Sequence, residues 1–232
     1  MSARDLLKDP AWQGSDLGHP LPDTPHAVSV ALPRWRDVIA YEENEVACRA
    51  ALQTIYPRFG IHPLLQQVTA ADSRPDSTLW PYPTTAAATE AQKHCHRKNP
   101  KAHTRIVNIS GLFCLQADAA ATPDAKAFWQ HTGLGASSRL AAIALGEEPR
   151  PSAGAGDTAR LRIRERLAAI HSTTTSRISL HPGGMAALYT ALKAVQSLRH
   201  GLATLQLGFP YVDVFKQPQV VFHGGELVQG DD

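Results

Sequence analysis

Ile178-Ser-Leu-His-Pro-Gly-Gly-Met-Ala-Ala-Leu-Tyr-Thr-Ala-Leu192 is the stretch on which the reading of this chain turns. Its apolar start predicts a short strand over Ile178–Leu180, Pro182-Gly183-Gly184 predicts a turn, and Met185 to Leu198 carries a helical period. A strand feeding a glycine turn and a helix start aims several backbone N–H groups at one spot, where the helix dipole adds partial positive charge. Glycines leave out the side chains that would block an approaching phosphate. The stretch reads as an anion site, although Pro-Gly ahead of a helix is also an ordinary turn.

Outward from this turn, the chain has the composition of a folded protein. It has 232 residues, 43% of them hydrophobic and 19% charged, enough for one large domain or two small ones. With 23 Lys and Arg against 21 Asp and Glu, the net charge of +2 argues against a nucleic-acid or membrane-surface partner. No run approaches the roughly 18 to 20 apolar residues that a bilayer span requires. Met1-Ser-Ala-Arg-Asp5 lacks the apolar segment of a secretory signal, and Cys48, Cys95 and Cys114 are too few and too scattered for a disulfide framework. The expected setting is reducing and cytoplasmic.

Proline and glycine clusters divide the rest. Trp12 to Pro33 reads as an extended arm, followed by a broken helical period from Trp35 to Leu52 and a loop from Pro57 to Pro83. Thr84 or Thr85 caps a predicted helix to about His96, Arg105–Ile109 and Leu112–Leu115 read as buried strands, and Pro123 opens a helix that Gly133 and Gly135 can end. Residues 147–157 read as a linker, and Thr158 to His171 as an amphipathic helix whose Arg160, Arg162, Arg164 and Arg166 wrap around it as a solvated surface or an anion contact. Ala203–Leu207 and Val220–Phe222 complete an α/β pattern. The expected units are 1–60, an arm and helix; 61–146, an α/β region; the linker; and 158–232.

The turn also resembles the phosphate-receiving Ser-Gly-Met-Ala-Ala turn of the Cys/Met-metabolism family of pyridoxal-phosphate (PLP) enzymes. Gly184, Met185, Ala186 and Ala187 match it, and Gly183 stands where the family usually has Ser. Tyr56-Pro-Arg58-Phe-Gly60 resembles the family's Tyr-x-Arg signature, which reaches a neighbouring subunit's cofactor phosphate. Arg suits that task through its planar fork. Four blocks, Gly18–Trp35, Tyr56–His62, Ala127–Arg139 and Gly208–Asp213, are similar in order to the fungal-type cystathionine γ-synthases.

The resemblance implies a PLP-transferase fold type I large domain, a mixed and mostly parallel sheet flanked by helices, preceded by an arm and a long insertion. It implies PLP as cofactor, with Gly183, Gly184, Met185, Tyr56, Arg58, Phe209 and Tyr211 as the residues that would contact it. The activity implied is γ-replacement joining an O-acylhomoserine to cysteine, with amino-acid substrates and a homo-oligomer. Family members bond the cofactor to a lysine in a Ser-x-x-Lys loop and set a carboxylate at its ring nitrogen, both well downstream of the Gly-Met turn. Lys8, Lys93, Lys98, Lys101, Lys126, Lys193 and Lys216 all lack that context, so no catalytic residue is assigned. The expectation is a large domain present in part, inactive alone, or a non-catalytic paralogue that associates with a full-length subunit. An inner strand left at an edge would expose apolar surface.

Other residues point less far. His94-Cys95-His96 with His103 invites a metal, but neighbours on a helix diverge by about 100°, so no metal site is expected. Leu207 stands where the family sets a ring-stacking Tyr, leaving Phe209 or Tyr211 to stack or to pack in the core. His131-Thr-Gly with Ser137-Ser-Arg139 has no role legible from residues, although Arg139 could meet a carboxylate or form a salt bridge.

Overall fold

The computed structural model describes residues 4–56, 59–222 and 224–228. The arm is not simply extended: strands β1 (Pro20–Leu21) and β2 (Ser29–Val30) pair antiparallel, with Pro20 opposite Val30. The broken period beyond it resolves into α1 (Trp35–Glu42) and α2 (Val46–Ala51), divided at Asn44, whose φ is 59°. Its inward face is not built from the apolar period alone. Asp37, Tyr41 and Cys48 are buried, whereas Trp35 is 77% and Val46 85% exposed. Arg34 fixes that rotation by gripping Asp37 with two charge-assisted bonds, Nε–Oδ2 at 2.7 Å and Nη2–Oδ1 at 2.8 Å.

The loop expected between Pro57 and Pro83 contains an α-helix, α3 (Pro63–Thr69), and a strand, β3 (Ser77–Tyr82). Proline hid both. Pro63 sits in the first turn of α3, where a missing N–H costs nothing, and Pro81 lies in an edge strand. After β3 come α4 (Thr85–Lys98), β4 (Thr104–Ile109) and β5 (Leu112–Asp118). Thr84 caps α4 by accepting the Ala87 N–H at 3.2 Å. Ser110 (φ 50°) and Gly111 (φ 87°) make the two-residue turn that joins β4 to β5.

The sheet order is β3–β5–β4, antiparallel throughout, with Leu115 of β5 between Trp80 and Ile106. Helix α5 (Thr122–Thr132) lays Phe128 and Trp129 on Tyr82 and Trp80, ring centroids 5.5–6.3 Å apart. Helices α3 and α6 (Ser138–Leu145) also pack on β3 and β5. Cys114, Leu115, Gln116 and Ala117 of β5 are consequently all buried, so both faces of the central strand are covered.

Helix α7 (Ala153–Ile170) begins inside the stretch expected to be linker, because Ser152 caps it through the Ala155 N–H. Its apolar side stays outside, with Leu161 47% and Ile170 74% exposed. Helix α8 (Gly184–Leu198) follows, then β6 (Thr204–Leu207), α9 (Val212–Val221) and β7 (Gly225–Val228). Val220 and Val221, expected in a strand, end α9; the strand comes later and pairs parallel with β6, Leu205 opposite Glu226. Parallel pairing is thus confined, among the described residues, to β6 and β7; the larger sheet is antiparallel. The architecture is mixed α/β. No helix of the described residues is long and apolar enough to cross a membrane.

Candidate anion turn and the contacts that hold it

Ile178–Leu180, expected to be a strand, is chain outside any sheet of the described residues, and α8 starts at Gly184. Gly183 is the N-cap, extended at φ −168° and ψ 169°, and no side chain caps the helix. That backbone suits any residue, so conformation does not require glycine there. Space is what the glycines leave: a Cβ built on Gly183 or Gly184 would meet nothing within 4 Å. Both are exposed, and the first turn of α8 carries no acidic side chain to offset the dipole. The amides of Gly184, Met185 and Ala186 therefore start a fifteen-residue helix, uncapped and open on one side.

Two contacts set this turn from behind. Gly133 ends α5 in the left-handed region (φ 65°), and a Cβ there would lie 2.9 Å from the Met185 Cβ and 3.0 Å from the Ala186 amide nitrogen. Only glycine permits that approach. Gln217, fully buried on α9, donates through Nε2 to the His131 carbonyl at 2.7 Å and to the Met185 carbonyl at 3.3 Å. His131 in turn sets Nδ1 3.2 Å from Asp213 Oδ1. The His131 block thus joins α5, α8 and α9, a structural role for residues whose purpose the sequence left open.

The remaining site candidates separate. Tyr56 is 43% and Tyr211 52% exposed, and Tyr211 bonds Asp213. The Asp213 hydrogen bond, then burial, then the Asp213 charge and Tyr56 push the Tyr211 phenol above its ordinary range. Arg58 lies outside the described residues. Phe209 is 95% exposed on the segment leaving β6, beside Leu207 at 74%. Lys193 of α8 is engaged with Glu90 of α4 at 2.7 Å. His94 and Cys95 point into the core from α4, and among the described residues no group of three or more His, Cys, Asp or Glu could hold a metal ion.

Asp213 and Gln217 escaped the sequence reading. The signal that finds them is their spacing: two polar residues four apart in Val212-Asp-Val-Phe-Lys-Gln-Pro-Gln-Val-Val221, on the face shared with buried Pro218 and Val221.

The four blocks meet in space. Ala27 of the arm accepts hydrogen bonds from Thr54 Oγ1 and, at 3.1 Å, from His62 Nε2. Its neighbour His26 sets Nδ1 3.2 Å from Ser138 Oγ and Nε2 2.7 Å from Glu148 Oε1. His131 then reaches Asp213, which brings in the fourth block. The turn beside these contacts fits a phosphomonoester at its phosphate end: converging amides, positive dipole and unfilled space.

The family model for the fungal trans-sulfuration enzyme N-terminal domain matches residues 60–137. The cystathionine gamma-synthase of Neurospora crassa is 30% identical over 161 residues, which cover 56% of this chain and 26% of that protein. That of Saccharomyces cerevisiae is 30% identical over 150 residues, 54% of this chain and 23% of that protein. The alanine racemase ungC of Aspergillus violaceofuscus is 27% identical over 263 residues, 82% of this chain and 44% of that protein. The chain thus spans about a quarter of the length of the cystathionine gamma-synthases it matches. No solved structure matches it. The residues matched by the family model contain the three-stranded sheet, and the chain is similar there to the N-terminal domain of the fungal trans-sulfuration enzymes.

Proposed function

We propose that this chain forms the phosphate end of a PLP site in a trans-sulfuration protein of cystathionine γ-synthase type, which joins an O-acylhomoserine to cysteine by γ-replacement. The observation that carries the reading is the uncapped start of α8, open above Gly183 and Gly184 and fixed from behind by Gly133 and Gln217. PLP, when bound, supplies an electron sink for substrate carbanions. The residues of this chain bind and orient: the Gly184, Met185 and Ala186 amides hold phosphate oxygens, and Asp213 aims the Tyr211 hydroxyl. Tyr56 and Arg58 are the family's candidates for a second subunit's phosphate. With its lysines all outside a Ser-x-x-Lys context, the chain on its own is expected not to turn over substrate.

Binding of pyridoxamine 5′-phosphate, which cannot condense with lysine, tests this by equilibrium dialysis. Inorganic phosphate should displace it, and Gly184→Pro should weaken it by removing one donor at a helix position that tolerates proline. Binding that ignores both would refute the reading.

A second reading, association with a full-length subunit as a non-catalytic paralogue, draws support from the apolar surface around β6. Leu198, Leu202, Leu205, Leu207 and Phe209 are each 57–95% exposed. Sedimentation of the chain mixed with a full-length relative distinguishes the two readings.

A further inference from the structure

Away from α8, the end of the three-stranded sheet carries a cleft of about 300 Å³ whose walls include Arg74, Asp76, Ser77, Arg105, Gln116 and Asp118. Its floor is built. Arg105 Nε donates to Gln116 Oε1 at 2.6 Å, and Gln116 Nε2 donates to Ser77 Oγ at 2.7 Å, so one polar row crosses all three strands. Gln116 is 8% exposed, which fixes the amide and, through it, the base of the Arg105 guanidinium. Arg105 and Arg74 are both exposed residues.

Two cations and two carboxylates share this cleft, yet among the described residues no ion pair joins either arginine to Asp76 or Asp118. Asp118 faces another way in part: the Ala121 N–H at 2.8 Å and the His103 N–H at 3.1 Å hold its carboxyl below the ordinary range, so it stays charged. Opposite charges held apart across a cleft are complementary to a small molecule bearing both signs. A second cleft adjoins the first, sharing Arg74, Arg105 and Gln116, and adds Asp72 and Ser73, with Leu79 buried behind them.

We propose that this cleft binds a free α-amino acid, its carboxylate on Arg74 and Arg105 and its ammonium group toward Asp76 and Asp118. The site lies in the matched N-terminal domain and is independent of the PLP reading, so either can fail alone. It gives that domain a task of its own, the sensing of an amino acid by the protein that carries it.

Calorimetric titration of the full chain with the L-amino acids tests it, with each acid's N-acetyl derivative, its decarboxylated amine and inorganic phosphate as single-charge probes. At least one amino acid should bind tenfold or more tightly than both of its derivatives, and Arg105→Gln and Asp76→Asn should each weaken it about tenfold. Arg74→Gln, on an exposed turn, reports the same loss should Arg105→Gln fail to fold. Phosphate binding as tightly as every amino acid would reduce the cleft to a plain anion patch and overturn the proposal. So would binding that survives the arginine variants, or amino acids that bind no better than their derivatives.

Discussion

His131 Nδ1 lies 3.2 Å from Asp213 Oδ1, with the two side chains only 7% and 4% exposed, and this contact joins the end of α5 to the start of α9. The residues stand 82 positions apart, in two different blocks of the fungal-type resemblance. Between them they hold both ends of the candidate site: Asp213 bonds Tyr211, and the His131 carbonyl accepts from the same Gln217 amide that reaches Met185.

Removing one side of a buried polar contact leaves the other without its partner, which costs about 1–3 kcal/mol. Asp213→Ala is expected to lower unfolding stability by that amount in urea. A cycle with His131→Ala should show coupling above about 0.5 kcal/mol. Purely additive single effects would mean that the two side chains merely coincide.

Two glycines with left-handed backbones separate strain from contact. Gly146 (φ 77°) has nothing within 4 Å of a built Cβ, so Gly146→Ala should cost about 1 kcal/mol, the left-handed penalty alone. Gly133→Ala adds the collision with Met185 and Ala186, and about 2 kcal/mol or more is expected. Because that collision falls on the α8 start, Gly133→Ala should also weaken phosphate binding, and Gly146→Ala should not. Equal losses in the two variants would show that α8 yields to the extra methyl.

What the sequence made legible were elements whose local signals agree. Thr84 and the alanine run specify α4, Ser110-Gly111 specifies the β4–β5 turn, and Gly133 the end of α5. Missed elements had conflicting signals: proline at 63 and 81 read as loop although each sits where the fold needs no N–H, and glycines 154 and 156 read as linker although Ser152 caps a helix over them. The apolar period of α1 misled for another reason, since the Arg34–Asp37 pair, and not hydrophobicity, sets which face turns inward. At the candidate site the glycine turn was legible, whereas the spacing of Asp213 and Gln217 marks a buried polar face without naming their partners, which lie more than 30 residues away.

The His94 imidazole provides a pH test. Burial first, then the charges of Arg97 and Lys98, push it from 6.5 down to about 4, and Nε2 is buried with no hydrogen-bond acceptor among the described residues. The folded state therefore prefers the neutral ring, while the unfolded chain takes up a proton near 6.5. The stability contributed is complete above about 6.5 and is lost as pH falls toward 4, by an amount on the order of 3 kcal/mol at most. His94→Gln should flatten the fall over that window, and NMR should show the His94 ring neutral at pH 5. A ring that titrates near 6.5 in the folded protein would disprove it.

Gly183 allows stability and binding to be driven in opposite directions. It is the N-cap of α8, extended and with empty space where a side chain would stand, so Ser and Asp both fit without strain. Either should accept a first-turn N–H and stabilise the helix by a few tenths of a kcal/mol relative to glycine. Their effects on an anion differ. Serine, the residue the resemblance expects here, adds a hydroxyl donor and should tighten the binding of inorganic phosphate. Aspartate fills the same dipole with its own charge and should repel it. Gly183→Ser and Gly183→Asp thus share the sign of their effect on thermal stability and differ in sign on phosphate affinity, and matching affinity changes would place the anion elsewhere than at the start of α8.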